Sequence, residues 1–106
     1  MDPIVLTEAV FYILLALDSP LHGYGIMQRT QELSGGRVRL AAGTLYGALT
    51  SLAQKGWIEE LPAQRGSRRK EYRITGQGGR VLREELIRLE ELVRNGRSII
   101  GKEGQV

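Results

Sequence analysis

A mainly α fold of the α+β class is predicted for this 106-residue chain by three observations. Four stretches carry helix start and stop signals, and two short strand-like segments, the second alternating, lie between the third and fourth of them. An apolar content of 42% suits one hydrophobic core. A domain of this size leaves much of its surface uncovered, so apolar stripes beyond the needs of that core read as an interface.

The first helix is expected to open at Asp2-Pro3, which supply an N-cap and a first-turn proline, and to run through Leu17. It is apolar nearly all round and needs cover from more than one side. A second helix is predicted over about Gly23 to Leu33, with Tyr24, Met27 and Ile26 facing inward and Ser34-Gly35-Gly36 as its stop. His22 at its start is read as making a local hydrogen bond. Arg37 to Leu40 alternates polar and apolar residues and is expected as a short strand. The third helix is placed at about Ala42 to Lys55, closed by Gly56.

Two strands follow, Trp57 to Leu61 and Arg69 to Thr75, joined by a loop over Pro62 to Arg68, with Trp57 and Tyr72 packing beneath. The last helix begins near Thr75 or Gly76 and continues to about Arg97, with a fraying tail after Asn95-Gly96. Its leucines and valine at 82, 86, 89 and 93 are spaced 4, 3 and 4 apart, a heptad-like seam. Glu84 with Arg88, and Glu90 with Arg94, have the spacing of pairs on its wet side. The paired glutamates at 59 and 60, 84 and 85, and 90 and 91 read as solvated. Three helices followed by a two-stranded ribbon is the winged helix-turn-helix arrangement. Residues 1–75 would form that unit and residues 76–106 a C-terminal dimerisation helix with its tail, all one structural body.

In a winged helix the third helix enters the DNA major groove and the ribbon tip reaches the adjoining backbone or minor groove. Leu45, Leu49 and Leu52 would be the buried side of that helix. Gly43, Thr44, Tyr46, Gly47, Thr50, Ser51 and Gln54 then face outward, a small and uncharged surface. Each interior glycine costs up to about 1 kcal/mol relative to alanine, and close approach to another surface is a compensating reason. The ribbon tip carries Arg65, Ser67, Arg68, Arg69 and Lys70. The net charge is +4 over residues 64–73, against +3 for the whole chain. Focused charge of this kind points to a polyanion met at one place. The alternative for each segment is an ordinary solvated surface.

Three motifs carry a family resemblance. Leu21-His22-Gly23-Tyr24-Gly25-Ile26, Gly43-Thr44-Leu45-Tyr46-Gly47-Ala48-Leu49 and Arg68-Arg69-Lys70-Glu71-Tyr72-Arg73-Ile74-Thr75 resemble the signatures of PadR-type regulators, and the resemblance covers roughly residues 4 to 94. It implies a winged-helix dimer that represses a promoter and is released by a small ligand or a stress signal. Two departures stand out. Ala41-Ala42 replaces the serine-proline pair common at the start of the third helix, so a side-chain N-cap is missing. Residues 76–106 hold no aromatic side chain, which removes the tryptophans between which some relatives hold flat aromatic ligands.

The dimer is also argued from the residues alone. Val5, Leu6, Val10, Ile13 and Leu14 of the first helix and Leu82, Leu86, Leu89 and Val93 of the last are expected to meet a two-fold mate. Two subunits imply a pseudo-palindromic duplex operator. The chain has no cysteine and a single histidine, and shows no nucleophile-base spacing or phosphate-cradling glycine loop, so an enzyme, a cofactor and a metal centre are not expected. No apolar run approaches the roughly 20 residues of a membrane span and no leader is recognisable, which points to the cytoplasm. The competing reading is a winged helix used for protein-protein contact, its basic ribbon meeting an acidic partner.

Overall fold

The computed structural model describes residues 4–62 and 69–101. Its elements run α1 (Glu8–Ala16), β1 (Leu21–His22), α2 (Gly23–Leu33), α3 (Ala42–Gln54), β2 (Ile58–Leu61), β3 (Glu71–Ile74) and α4 (Gly76–Ile100). The strands form one antiparallel sheet in the order β1-β3-β2, with Leu21 opposite Tyr72, and Glu60 opposite Tyr72 from the other side. The α3, β2, β3 and α4 expectations hold to within one to three residues.

The third strand differs from expectation. It is Leu21–His22, and Arg37 to Leu40 forms no strand. The alternation at 37–40 has another cause: Val38 is buried and Leu40 packs against the core. The polar groups are satisfied without a strand ladder: Arg37 pairs with Glu8 of α1, the Val38 N–H donates to Ser34 Oγ at 2.8 Å and Arg39 Nε donates to the Gly36 carbonyl at 3.1 Å.

The first helix also starts later than predicted. Residues 4–7 are not helical, and Thr7 is the N-cap, its hydroxyl accepting from the Val10 N–H at 3.1 Å. The Leu6 N–H is taken instead by Glu85 Oε2 of α4, at 2.9 Å. Ile13 and Leu14 are fully buried in the chain's own core with Ala16, Leu17, Ile26, Leu45, Leu49, Leu52, Trp57, Ile58, Tyr72 and Val81. They have no surface left for a second copy, which corrects their assignment to a dimer interface. The all-round apolarity of α1 is satisfied largely within one chain, because α2 and α4 both pack on it.

In α2 it is Ile26 and Thr30 that are buried, whereas Tyr24 is 61% exposed. Its ring stacks on His22, with centroids 6.5 Å apart, instead of entering the core. At the end of α3, Gly56 takes φ +79°, the left-handed cap that a side chain would strain. Thr75 then joins the two halves of the fold. Its N–H donates to the Trp57 carbonyl at 3.0 Å and its hydroxyl to the Gly56 carbonyl at 2.6 Å, and the same oxygen caps α4 by accepting from the Gly78 N–H at 3.0 Å.

Three expectations for α4 are overturned. The helix continues to Ile100 without fraying at Asn95-Gly96. Glu85, expected as a solvated residue, is 2% exposed, and Arg88 pairs with it, donating from Nη2 to Oε2 at 2.9 Å, in place of the expected Glu84 partner. The bonds from Arg88 outweigh the desolvation of the carboxyl and, with the Leu6 N–H, hold Glu85 below the ordinary carboxylate range. Neighbouring glutamates point to different sides of a helix, so one of an adjacent pair can be buried while the other stays wet.

Candidate nucleic-acid interface

The outward face of α3 is as the spacing predicted. Gly43, Thr44, Tyr46, Gly47, Thr50, Ser51 and Gln54 are exposed, while Leu45, Leu49 and Leu52 are buried. Ala41 at the N-cap makes no side-chain capping bond. A methyl group built on Gly43 or Gly47 would have no heavy atom within 4 Å. Packing inside the chain therefore gives no reason for glycine at either position, and the slimness of this face is directed outward. Thr50 is less available than its exposure suggests, since its hydroxyl proton goes to the Tyr46 carbonyl at 2.9 Å.

Tyr46 is half exposed, but its side chain lies across the start of α2. A Cβ added to Gly23 would sit 2.5 Å from the Tyr46 hydroxyl oxygen, so the absence of a side chain at 23 is what admits the phenol. With this ring as one wall, a cleft of about 490 Å³ opens between α2, α3 and β3, lined by His22, Gly23, Tyr24, Tyr46, Arg69, Lys70 and Tyr72. Its floor is neutral: burial first, then the Glu60 carboxylate and the neighbouring Tyr46, push the Tyr72 phenol above its ordinary range, so it stays a protonated donor. His22 stands at the rim. Its Nδ1 accepts from the Gly25 N–H at 3.1 Å, as the sequence led one to expect of a local cap, and its Nε2 lies 3.3 Å from Arg69 Nη1.

The wing's charge is partly spoken for. Lys70 Nζ lies 3.3 Å from Glu60 Oε1, and Arg73 pairs with Glu59 across the β2–β3 ladder. Arg69 and Lys70 are exposed beside the cleft, whereas Arg65, Ser67 and Arg68 lie outside the described residues. His22, Tyr24 and Tyr72 were not among the binding residues expected from sequence. The available signal was that β1 pairs with β3, which carries His22 to the wing, but a two-residue strand leaves no pattern to read.

Residues 12–84 match the model of the transcriptional regulator PadR-like family. The chain belongs to that family. Among curated relatives, this PadR-like chain is 39% identical over 80 residues to a transcriptional regulator of Mycobacterium tuberculosis, covering 74% of this chain and 72% of that one. It is 37% identical over 79 residues to a 37.1 kDa transposon protein of Streptomyces fradiae, of whose length the match spans 22%. Among solved structures, a PadR family regulator from Clostridium difficile superposes with a TM-score of 0.75 at 22% identity, over 90% of this chain and 100% of that one. Bacillus subtilis PadR, solved in complex with operator DNA, gives 0.62 at 25% identity over 74% and 46%. The winged-helix fold is shared, and the family is one of transcriptional regulators.

The PadR-like chain presents a second surface of opposite character. On α4, Leu86 and Val93 are about half exposed, as are Ile87 and Leu92, and Ile99 and Ile100 are exposed beyond them. Leu82 packs against the core and Leu89 is half-buried. Of the N-terminal residues expected beside this seam, Val5 is exposed, and Leu6 and Val10 are partly buried against the chain's own core. Among the described residues no helix is long and apolar enough to cross a membrane.

Proposed function

We propose that the chain is a sequence-specific duplex-DNA-binding regulator that acts in the cytoplasm as a homodimer, represses its promoter and is released by a small effector. The observation that carries the reading is the coincidence, on one side of the molecule, of a slim uncharged helix face with a cationic, hydroxyl-lined cleft. The helix suits a groove and the cleft suits the flanking backbone. Bacillus subtilis PadR, a relative solved in complex with operator DNA, supports the DNA-binding reading. The proposed binding set is Gly43, Thr44, Tyr46, Gly47, Ser51 and Gln54 with Arg69 and Lys70, together with Arg65, Ser67 and Arg68 outside the described residues.

Dimerisation through Leu86, Leu89 and Val93, with Val5 at the margin, would cover apolar area that one chain leaves in water, in an isologous contact. Residues 76–106 are the dimerising part of this unit. The effector reading draws on a cavity of about 290 Å³ lined by Leu6, Thr7, Glu8, Phe11, Tyr12, Glu85 and Leu89. There α1 supplies the aromatic rings that α4 lacks. Selection of bound fragments from the host genome tests the proposal. Enriched inverted repeats with half-site centres one or two helical turns apart are expected, and no enrichment over random fragments would refute it.

A further inference from the structure

We infer that the cleft bounded by His22, Tyr24, Tyr46, Arg69 and Lys70 seats one backbone phosphate of the bound duplex in each half-site. The inference rests on the DNA-binding reading above and assigns a ligand to a cleft that lies beside, and not on, the outward face of α3.

The His22 imidazole has two nitrogens with different partners. A neutral ring has one N–H and one acceptor nitrogen. Nδ1 of His22 is the acceptor, because it receives the Gly25 N–H at 3.1 Å, so the proton is assigned to Nε2. That Nε2–H lies 3.3 Å from Arg69 Nη1, and a guanidinium has only donors. Two donors thus face each other at a distance where neither can bond the other. An anionic oxygen placed between them accepts from both, and a charge-assisted bond of this kind is among the stronger ones.

The rest of the cleft suits the same ligand. Lys70 adds a third cationic or donor group, and the phenols of Tyr24 and Tyr46 add hydroxyls. Of the carboxylates nearby, Glu60 is paired with Lys70, and Glu71 stands opposite His22 in the β1–β3 ladder without lining the cleft. The seat is built from side chains; the Gly25 N–H of α2 is already used by the His22 cap and is not part of it. A phosphodiester is favoured over a free oxyanion because Tyr46 is shared. It forms a cleft wall and stands on α3 between Gly43 and Gly47, so a phosphate held here borders the groove into which α3 fits. The cleft is also partly open to solvent, as a seat for a phosphate within a continuous strand has to be.

His22→Asn separates the two jobs of the imidazole. Asparagine remains a good N-cap for the Gly25 N–H but offers no donor at the place of Nε2. Using the duplex recovered by the genomic selection, each phosphate is replaced in turn by an uncharged methylphosphonate and binding is measured for wild type and variant. At one phosphate per half-site the wild type is expected to lose roughly tenfold in affinity while His22→Asn, already weaker by a similar factor and unchanged in melting temperature and base preference, loses little more. Penalties that multiply independently at every phosphate overturn the inference while leaving the DNA-binding reading intact. Millimolar inorganic phosphate that shifts the His22 ring resonances of the DNA-free protein to saturation would make this a free-anion site and overturn it too. A wild type that binds no duplex at all removes both.

Discussion

The outward faces of α3 and α4 are both exposed, yet they are exposed for opposite reasons. On α3 the side chains are small, uncharged and punctuated by two glycines that nothing in the chain requires. On α4 large aliphatic side chains, Leu86, Ile87, Leu92 and Val93, stand in water among charged neighbours, while Glu85 and Val81 are buried. Water tolerates the first surface and disfavours the second. Under the proposed function the two helices meet different partners: α3 a hydrated polyanion whose attraction fades with salt, α4 a second apolar surface whose attraction does not.

The largest effect is expected where the apolar face is broken. Leu86→Asp with Val93→Asp should give a monomer by sedimentation and at least about a hundredfold loss of affinity for the duplex, because each half-site must then be bound alone. A dimer that survives both changes would move the interface elsewhere. On the other face, replacing Arg69 and Lys70 by alanine should reduce the slope of log affinity against log salt by roughly two, with base preference unaltered. An unchanged slope removes the wing from the contact.

Between the two faces lies Glu85, which ties Leu6 to α4. Glu85→Gln keeps the shape but weakens the bonds to Arg88 and to the Leu6 N–H, and should cost about 1 to 3 kcal/mol in denaturant unfolding. Its carboxyl is held below the ordinary range, so its contribution is present in full above the unfolded-state value of about 4.3. It is lost as the pH falls through the lower folded-state value, and the gap between wild type and variant should close with it. A gap that widens in acid would contradict this sign.

The smallest effect is also the most discriminating between the faces. Gly47→Ala places its methyl in open space, so the free protein should gain up to about 1 kcal/mol in stability from helix propensity. Binding to the duplex should nonetheless weaken severalfold. Tighter binding by the stabilised variant would mean that no surface approaches α3 closely.

Much of this was legible in the sequence because periodicity reports which residues face inward. The leucines at 45, 49 and 52 fix the outward side of α3, and glycines and threonines mark the helix ends. What the sequence concealed depended on contacts between distant residues. Arg37 to Leu40 looks like a strand because two of its apolar side chains enter the core, but a strand needs a ladder partner, and β3 is already flanked by β1 and β2. Glu85 looks like any surface glutamate until Leu6, 79 residues away, donates to it. Tyr24 carries an apolar ring into a helical pattern, yet spends it on His22 at the cleft. Ile13 and Leu14 appeared surplus because the extent to which α2 and α4 cover α1 cannot be read from α1 itself.

The comparison of the two faces is tested most directly by sedimentation velocity of the protein with its selected duplex across a series of salt concentrations. The account predicts two protomers per duplex at low salt, then release of DNA as salt rises while the protein persists as a dimer. Protomers that separate together with the DNA, or a monomer throughout, would contradict it.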